Sequence, residues 1–345
     1  APTRSRSFCK GQELIVNLFR SLSLCALSAL LVTGCATRFD LQGHRGARGL
    51  APENTLTAFS TALEVGVTTL ELDVGATRDG VMVISHDRHL NADVARDTQG
   101  NHLAQRGPTI TSISFAELQQ YDVGQLKLGS NYAKSFPTQK SVNGERIPTL
   151  QSLFALAEKR GARDVRFNIE TKISPNAASE TLAPEPFVRA LIAEIRKAGL
   201  TSRATIQSFD WRTLQIAQRE APEITTVYLT SQQGAGDTVQ VGKPGPSPWL
   251  AGFDVDDHGG SVPKLVKAAG GTVWSPNHKD VTEALVREGQ ALGLKIIPWT
   301  VNDAPDMTRL IDWKVDGIIT DYPDRLRAVM ASRGMALPAK YPAIR

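Results

Sequence analysis

A chain of 345 residues with 41% apolar and 21% charged side chains has an ordinary globular composition, and it is long enough to bury a large core as one big domain or two. Its net charge of +4 sits mostly at the start, where Arg4, Arg6, Lys10 and Arg20 against Glu13 put +3 into residues 1–35 and leave +1 for the remainder. That remainder carries no polybasic stripe, which argues against a nucleic-acid partner.

Residues 1–35 have the parts of an export signal: a basic start, the apolar run Leu22–Val32, and small residues before Cys35. The run is too short to span a bilayer as a helix. Val32-Thr33-Gly34-Cys35 resembles a bacterial lipobox. That resemblance implies that Cys35 is lipidated and becomes the mature N-terminus of a periplasmic, membrane-anchored protein, with a plain secretory signal cut nearby as the alternative. Position 1 is not Met and about twenty residues precede the apolar run, which leaves room for a translation start further in. All three cysteines, Cys9, Cys25 and Cys35, belong to this leader, so the body from residue 36 to 345 has neither disulfide nor thiolate. Any metal there is held by oxygen or imidazole.

From residue 40 onward short β-type runs alternate with amphipathic stretches. Strands are expected at 39–44, 69–74, 165–170, 204–208, 225–229, 272–275, 295–300 and 317–320, with helices at 56–65, 150–159, 187–198, 211–218, 281–292 and 305–313. Eight strands with helical connections predict a (β/α)8 TIM barrel. An open doubly wound sheet is the alternative, and no G-x-G-x-x-G or Walker motif supports it. The run 81–85 follows the second strand too closely for a crossover helix, and Arg78-Asp79-Gly80 offers turn chemistry. It is expected to return antiparallel as a hairpin arm that folds His86 back over the barrel mouth. Residues 87–148 then form a long insertion, expected to be irregular loop with one short helix near 115–120, and 231–247 reads as a second, mobile loop.

The informative polar residues fall at the C-terminal ends of the expected strands, where such barrels carry their chemistry. His44 and Arg45 follow the first strand, Glu71 and Asp73 lie on the second, and Glu170 and Lys172 on the next parallel one. Gln207, Asn277, Trp299 and Asp321 obey the same rule. Glu71 and Asp73 are two apart on a strand and face one side, as do Glu170 and Lys172. Three carboxylates without a thiolate suit a hard divalent ion such as Ca2+ or Mg2+, and ion pairing of Glu71 and Asp73 with Arg45 or Lys172 is the plain structural alternative. Arg45 and Lys172 could donate to phosphate oxygens, and His44 and His86 suit a general acid and base. Trp299 offers either a flat wall for a glycerol backbone or core packing. His89, His102, His258 and His278 are given no catalytic role.

His44-Arg45-Gly46-Ala47-Arg48-Gly49-Leu50-Ala51-Pro52-Glu53-Asn54-Thr55 resembles the signature of the glycerophosphodiester phosphodiesterases. Glu71-Leu72-Asp73-Val74, Thr77-Arg78-Asp79-Gly80, His86-Asp87, Asn168-Ile169-Glu170-Thr171-Lys172, Trp299-Thr300-Val301-Asn302 and Thr320-Asp321-Tyr322-Pro323 continue the resemblance in order, from about residue 40 to 330. It implies a (β/α)8 barrel that hydrolyses small glycerophosphodiesters to sn-glycerol 3-phosphate and an alcohol. By the same resemblance His44 and His86 form the acid/base pair, Glu71, Asp73 and Glu170 hold the metal, Arg45 and Lys172 meet the phosphate, and Glu53 is a polar support beside them. Attack by the substrate's glycerol hydroxyl through a cyclic phosphate and attack by water are both open. The insertion resembles that of the periplasmic, calcium-dependent branch. A barrel-fold phospholipase acting on intact lipid and a non-catalytic phosphodiester-binding lipoprotein are the competing functions. No protein partner is evident, and the membrane is expected as a partner only through the lipid anchor.

Overall fold

The computed structural model of the chain describes Ala1 and residues 38–343, so the lipobox around Cys35 lies outside the described residues. From Phe39 onward the chain forms one compact unit. Its strands are β1 (Asp40–Gly43), β2 (Thr69–Ala76), β3 (Met82–Ile84), β4 (Arg166–Thr171), β5 (Ala204–Ser208), β6 (Thr225–Thr230), β7 (Val273–Pro276), β8 (Lys295–Ile296) and β9 (Gly317–Thr320). All but β3 pair in parallel, in the order β8-β7-β6-β5-β4-β2-β1-β9.

The expected strand 295–300 is a regular strand for two residues only, but its backbone goes on bonding to β7 through Ile297 and Trp299 N–H while its other edge bonds across the seam. Asp316 N–H donates to Ile296 O, Ile319 N–H to Pro298 O and Val301 N–H to Ile319 O, which joins β8 to β9 and closes the eight-stranded barrel.

Helices α1 (Leu56–Val65), α4 (Leu150–Lys159), α5 (Pro184–Lys197), α6 (Trp211–Glu220), α8 (Glu283–Ala291) and α9 (Ala304–Asp312) lie where the apolar periodicity places them. In α1, buried Ala58, Phe59, Ala62 and Leu63 repeat at helical spacing, and the Thr55 side chain caps the first turn by accepting from Ala58 N–H. Two further helices carry too short or too mixed an apolar stripe to be read from sequence: α7 (Val262–Ala268) and α10 (Pro323–Ser332).

Strand alternation sorts the chemistry. On β2, Leu70, Leu72 and Val74 join the core between sheet and helices, as do Phe167 and Ile169 on β4. The intervening Glu71, Asp73, Asn168 and Glu170 therefore face the barrel interior. There Asn168 donates to Gln42 Oε1 at 2.9 Å and to Gln207 Oε1 at 2.8 Å, across strands. The other side of the interior is apolar, filled by Val227, Val273, Ile297 and Ile319 with Trp299 against them.

The hairpin arm is present, with β3 antiparallel to β2 and Val74 opposite Ile84. The turn has Gly80 at φ +80°, and Thr77 N–H donates to Val81 O. The insertion is more ordered than its composition implies. Besides α2 (Phe115–Leu118) it holds a 3-10 turn at Ile110–Ser112 and α3 (Asn131–Ser135). Val83, Leu90, Ala95, Ile110, Leu118, Val123 and Ile147 build a small core of its own. Apolar residues spaced irregularly along the chain converge there, which no periodicity announces. Leu118→Ala is expected to cost about 2–5 kcal/mol in urea unfolding; an unchanged midpoint would mean that this core does not contribute to global stability.

Candidate active site

Glu71, Asp73 and Glu170 are buried, and one carboxylate oxygen from each lies within 4.8 Å of the others. β2 and β4 are in register with Asp73 opposite Glu170, so parallel pairing itself brings the third carboxylate to the first two. Such a group could hold a metal ion.

The surroundings divide the burden unequally. Burial pushes Glu71 well above the usual carboxylate range, Asp73 adds to this, and the Arg45 backbone N–H, 2.8 Å from Oε2, opposes it. Gln207 Nε2 donates to the other oxygen of Glu71 at 2.6 Å. Burial likewise opposes ionisation of Asp73, but Lys172, His86 and Arg45 outweigh it and hold this carboxyl well below its ordinary value. Glu170 is pushed up to about 7 by burial and by Asp73, against the pull of Lys172. Lys172 Nζ sits 2.7 Å from Glu170 Oε1 and 3.6 Å from Asp73 Oδ1, and Arg45 Nε is 3.4 Å from Asp73 Oδ2. The ion pairs expected as the alternative to a metal are thus partly formed. They satisfy Asp73 incompletely: its Oδ1 has Lys172 Nζ at ion-pair distance but no hydrogen-bond partner, and it is buried. A buried acceptor without a donor is costly, and a hard cation at the triad would satisfy it, so the oxygen donor set fits a divalent ion.

Both histidines reach this centre, each with an aspartate on Nδ1. His44 Nδ1 is 2.6 Å from Asp321 Oδ1, and its Nε2 is 3.9 Å from Glu71 Oε2. His86, at the end of the hairpin arm, has Nδ1 2.8 Å from Asp87 Oδ1, and Asn91 Nδ2 donates to the second oxygen of Asp87 at 2.7 Å. An aspartate on Nδ1 selects the tautomer with a proton there and leaves the Nε2 lone pair free. Burial lowers His44 to about 4, helped by Arg48 and opposed by Asp321. Burial also lowers His86 to about 4, helped by Arg45 and Lys172 and opposed by Asp73. Both imidazoles are neutral at pH 7.

Arg45 extends its Nη1 to Glu53 Oε1 at 2.7 Å, so Glu53 supports the guanidinium, and its other oxygen accepts from the Tyr132 hydroxyl. Trp299 donates its indole N–H to Ser275 O at 3.0 Å and meets Phe209 edge-on with ring centroids 5.3 Å apart. Its half-buried ring closes the apolar side of the barrel and still borders the mouth. A cleft of about 470 Å³ opens beside His86 and Lys172, lined otherwise by residues 87–93 and Arg106.

Several residues around the site carry no role in the sequence reading. Asp321 was visible at a strand end and inside a motif, yet nothing in the chain order shows that it meets His44, 277 positions away. Arg48 Nε donates to Asp321 Oδ1 at 2.9 Å, and Asn302 Nδ2 donates to Oδ2 at 2.8 Å. Asn54 Nδ2 donates to Asp73 Oδ2 at 2.9 Å. Tyr132 comes from the insertion and had no signal at all. Of the other histidines, His89 lies 3.0 Å from Glu180, His102 meets Gln125 O and His278 lies 3.7 Å from Asp306, none of them at the triad.

Residues 44–325 match the glycerophosphoryl diester phosphodiesterase family model. Among curated proteins, the glycerophosphodiester phosphodiesterase of Caldanaerobacter subterraneus subsp. tengcongensis is 30% identical over 283 residues, covering 82% of this chain and 94% of that protein. A crystal structure from Silicibacter pomeroyi DSS-3, assigned to the same kind of phosphodiesterase, is 34% identical with a TM-score of 0.77, over 87% of this chain and 96% of that one. An Oleispira antarctica phosphodiesterase, solved in complex with its product sn-glycerol-3-phosphate, shares the fold at 22% identity, with a TM-score of 0.61 over 84% of this chain and 96% of that one.

In the metal-free, ligand-free protein the imidazole resonances of His44 and His86 are expected to stay in the neutral form on lowering the pH from 7 to about 5, with midpoints near 4 by NMR. A midpoint near the ordinary 6.5 for either ring would show that it is solvated rather than buried against the neighbouring cations.

Proposed function

Because the chain belongs to the glycerophosphoryl diester phosphodiesterase family, we propose that it hydrolyses glycerophosphodiesters to sn-glycerol 3-phosphate and an alcohol by histidine acid/base chemistry beside a divalent metal. The observation that carries this reading is the pair of histidine–aspartate couples, His44–Asp321 and His86–Asp87, reaching one acidic triad together with Arg45 and Lys172. The same fold accommodates sn-glycerol 3-phosphate in the Oleispira antarctica protein, which supports the choice of product.

A divalent ion bound by Glu71, Asp73 and Glu170, Ca2+ by preference and Mg2+ otherwise, would neutralise the diester's charge and orient it. Arg45 and Lys172 donate to the non-bridging oxygens and gain from charge assistance. Neutral imidazole with its Nδ1 proton on aspartate is a base at Nε2, and one histidine takes the proton of the attacking oxygen there. The aspartate then stabilises the imidazolium. The second histidine acts as the acid after taking up a proton from solvent at Nε2, which the negative diester beside it favours, and it gives that proton to the departing alkoxide; the cleft beside His86 and Lys172 has room for the alcohol. Trp299 faces the glycerol backbone, with its indole N–H already taken by Ser275.

The basic start, the apolar run Leu22–Val32 and the lipobox-like Val32-Thr33-Gly34-Cys35 support export to the periplasm and anchoring to a membrane through a lipidated Cys35. Changing Cys35→Ser in the full chain is then expected to move it from the membrane fraction to the soluble periplasmic fraction; retention on the membrane would refute that anchor.

Release of glycerol 3-phosphate from glycerophosphocholine is expected to vanish with a chelator and to return with Ca2+. His44→Ala or Glu71→Ala should lower kcat/KM by about 100-fold or more. Turnover that survives both the chelator and Glu71→Ala would disprove the metal role, and normal turnover in His44→Ala would disprove the acid/base assignment.

A further inference from the structure

The insertion touches the active-site loop through one short segment. α3 brings Tyr132 to the rim, where its hydroxyl donates to Glu53 Oε2 and lies 3.4 Å from Arg45 Nη1 and from Arg48 Nη1. Four residues on, Phe136 is buried, meets Tyr132 edge-on at 5.3 Å and takes the Arg48 guanidinium over its face at 4.5 Å. Thr138 Oγ1 then donates to Gly49 O at 2.9 Å, Gln139 Nε2 to Arg48 O at 2.7 Å and Lys140 N–H to Leu50 O at 2.9 Å.

Phe136 and these three bonds to loop carbonyls dock the segment on the loop. The phenol hydroxyl does something else. It is spent on a carboxylate whose second oxygen holds Arg45 Nη1 at 2.7 Å. A guanidinium on a flexible stem binds an anion well only when its planar fork is already oriented. Glu53 is the group that orients it from the side away from Asp73, and Glu53 is itself held by Tyr132.

We propose that Tyr132 is a positioning residue for Arg45: by holding Glu53 it sets the guanidinium to meet the phosphate, so the insertion completes the anion-binding half of the site. This rests on the reading above that Arg45 contacts the diester.

Tyr132→Phe removes the hydroxyl and keeps the ring packed on Phe136. In the metal-loaded full chain it is expected to raise KM for glycerophosphocholine and the inhibition constant of inorganic phosphate together, by roughly 10-fold, with kcat within about threefold of the parent. In an Arg45→Lys background, which loses the fork, the same substitution should have no further effect, because the two side chains act as one unit. Unchanged KM and phosphate inhibition in Tyr132→Phe would overturn the proposal, even with a lowered thermal midpoint, since that pattern belongs to a structural residue. Independent, multiplying effects of the two substitutions would overturn it as well. If Arg45→Lys alone leaves KM and phosphate inhibition unchanged, the underlying assignment of Arg45 fails, which separates that failure from a failure at Tyr132.

Discussion

Three carboxylates buried within 4.8 Å of one another repel, and the low dielectric around them gives that repulsion force. Much of the surrounding barrel answers it. Lys172 and Arg45 keep Asp73 ionised, while Glu71 and Glu170 are driven toward their protonated forms. Neutral donors finish what the cations begin: Asn54 on Asp73, and Gln207 with the Arg45 backbone N–H on Glu71. Asp73 Oδ1 is left without a hydrogen-bond partner, with Lys172 Nζ 3.6 Å away. A site so arranged could hold a cation, and the two histidines, Arg45 and Lys172 are set around it.

The loop between β1 and α1 carries the heaviest share of this arrangement. Arg45, Gly46 and Asn54 all take positive φ, at +50°, +84° and +57°. The turn lets the Arg45 N–H face Glu71 while its side chain reaches Glu53, and it lets Asn54 reach Asp73. Gly46 admits nothing larger, for a Cβ there would stand 2.7 Å from the Ala58 carbonyl carbon on α1. Thr55 ends the loop by capping the same helix. Almost every position of His44–Thr55 therefore has a physical task, which is why the run is so specific as a motif.

Placement of the remaining groups follows from an interior of two kinds. Gln42, Asn168 and Gln207 form a hydrogen-bonded floor beneath the carboxylates, and Val227, Val273, Ile297 and Ile319 fill the other side under Trp299. A polar wall and an apolar wall thus face each other in one mouth. The hairpin arm and the insertion add His86 and Tyr132 from outside the barrel.

Much of the barrel and its site was legible in the residues themselves. Period-two alternation marks strands whatever they pair with, so Glu71 and Asp73 could be put on one face, with Glu170 and Lys172 on another, before any pairing was known. Strand-end placement is likewise a property of chain order, as is the return of β3, since the five residues between β2 and β3 cannot make a parallel crossover. Contacts between distant segments left no such trace. Asp321 meets His44 only because closure of the barrel sets β9 beside β1, and Tyr132 meets Glu53 only because the insertion has its own core to hold α3 over the rim. Sequence alone determined which chemical groups stand at which strand ends, because local backbone geometry dictates that. Tertiary structure decided which of them share protons and charge, because those interactions depend on distances of a few ångströms between residues that the chain order holds far apart.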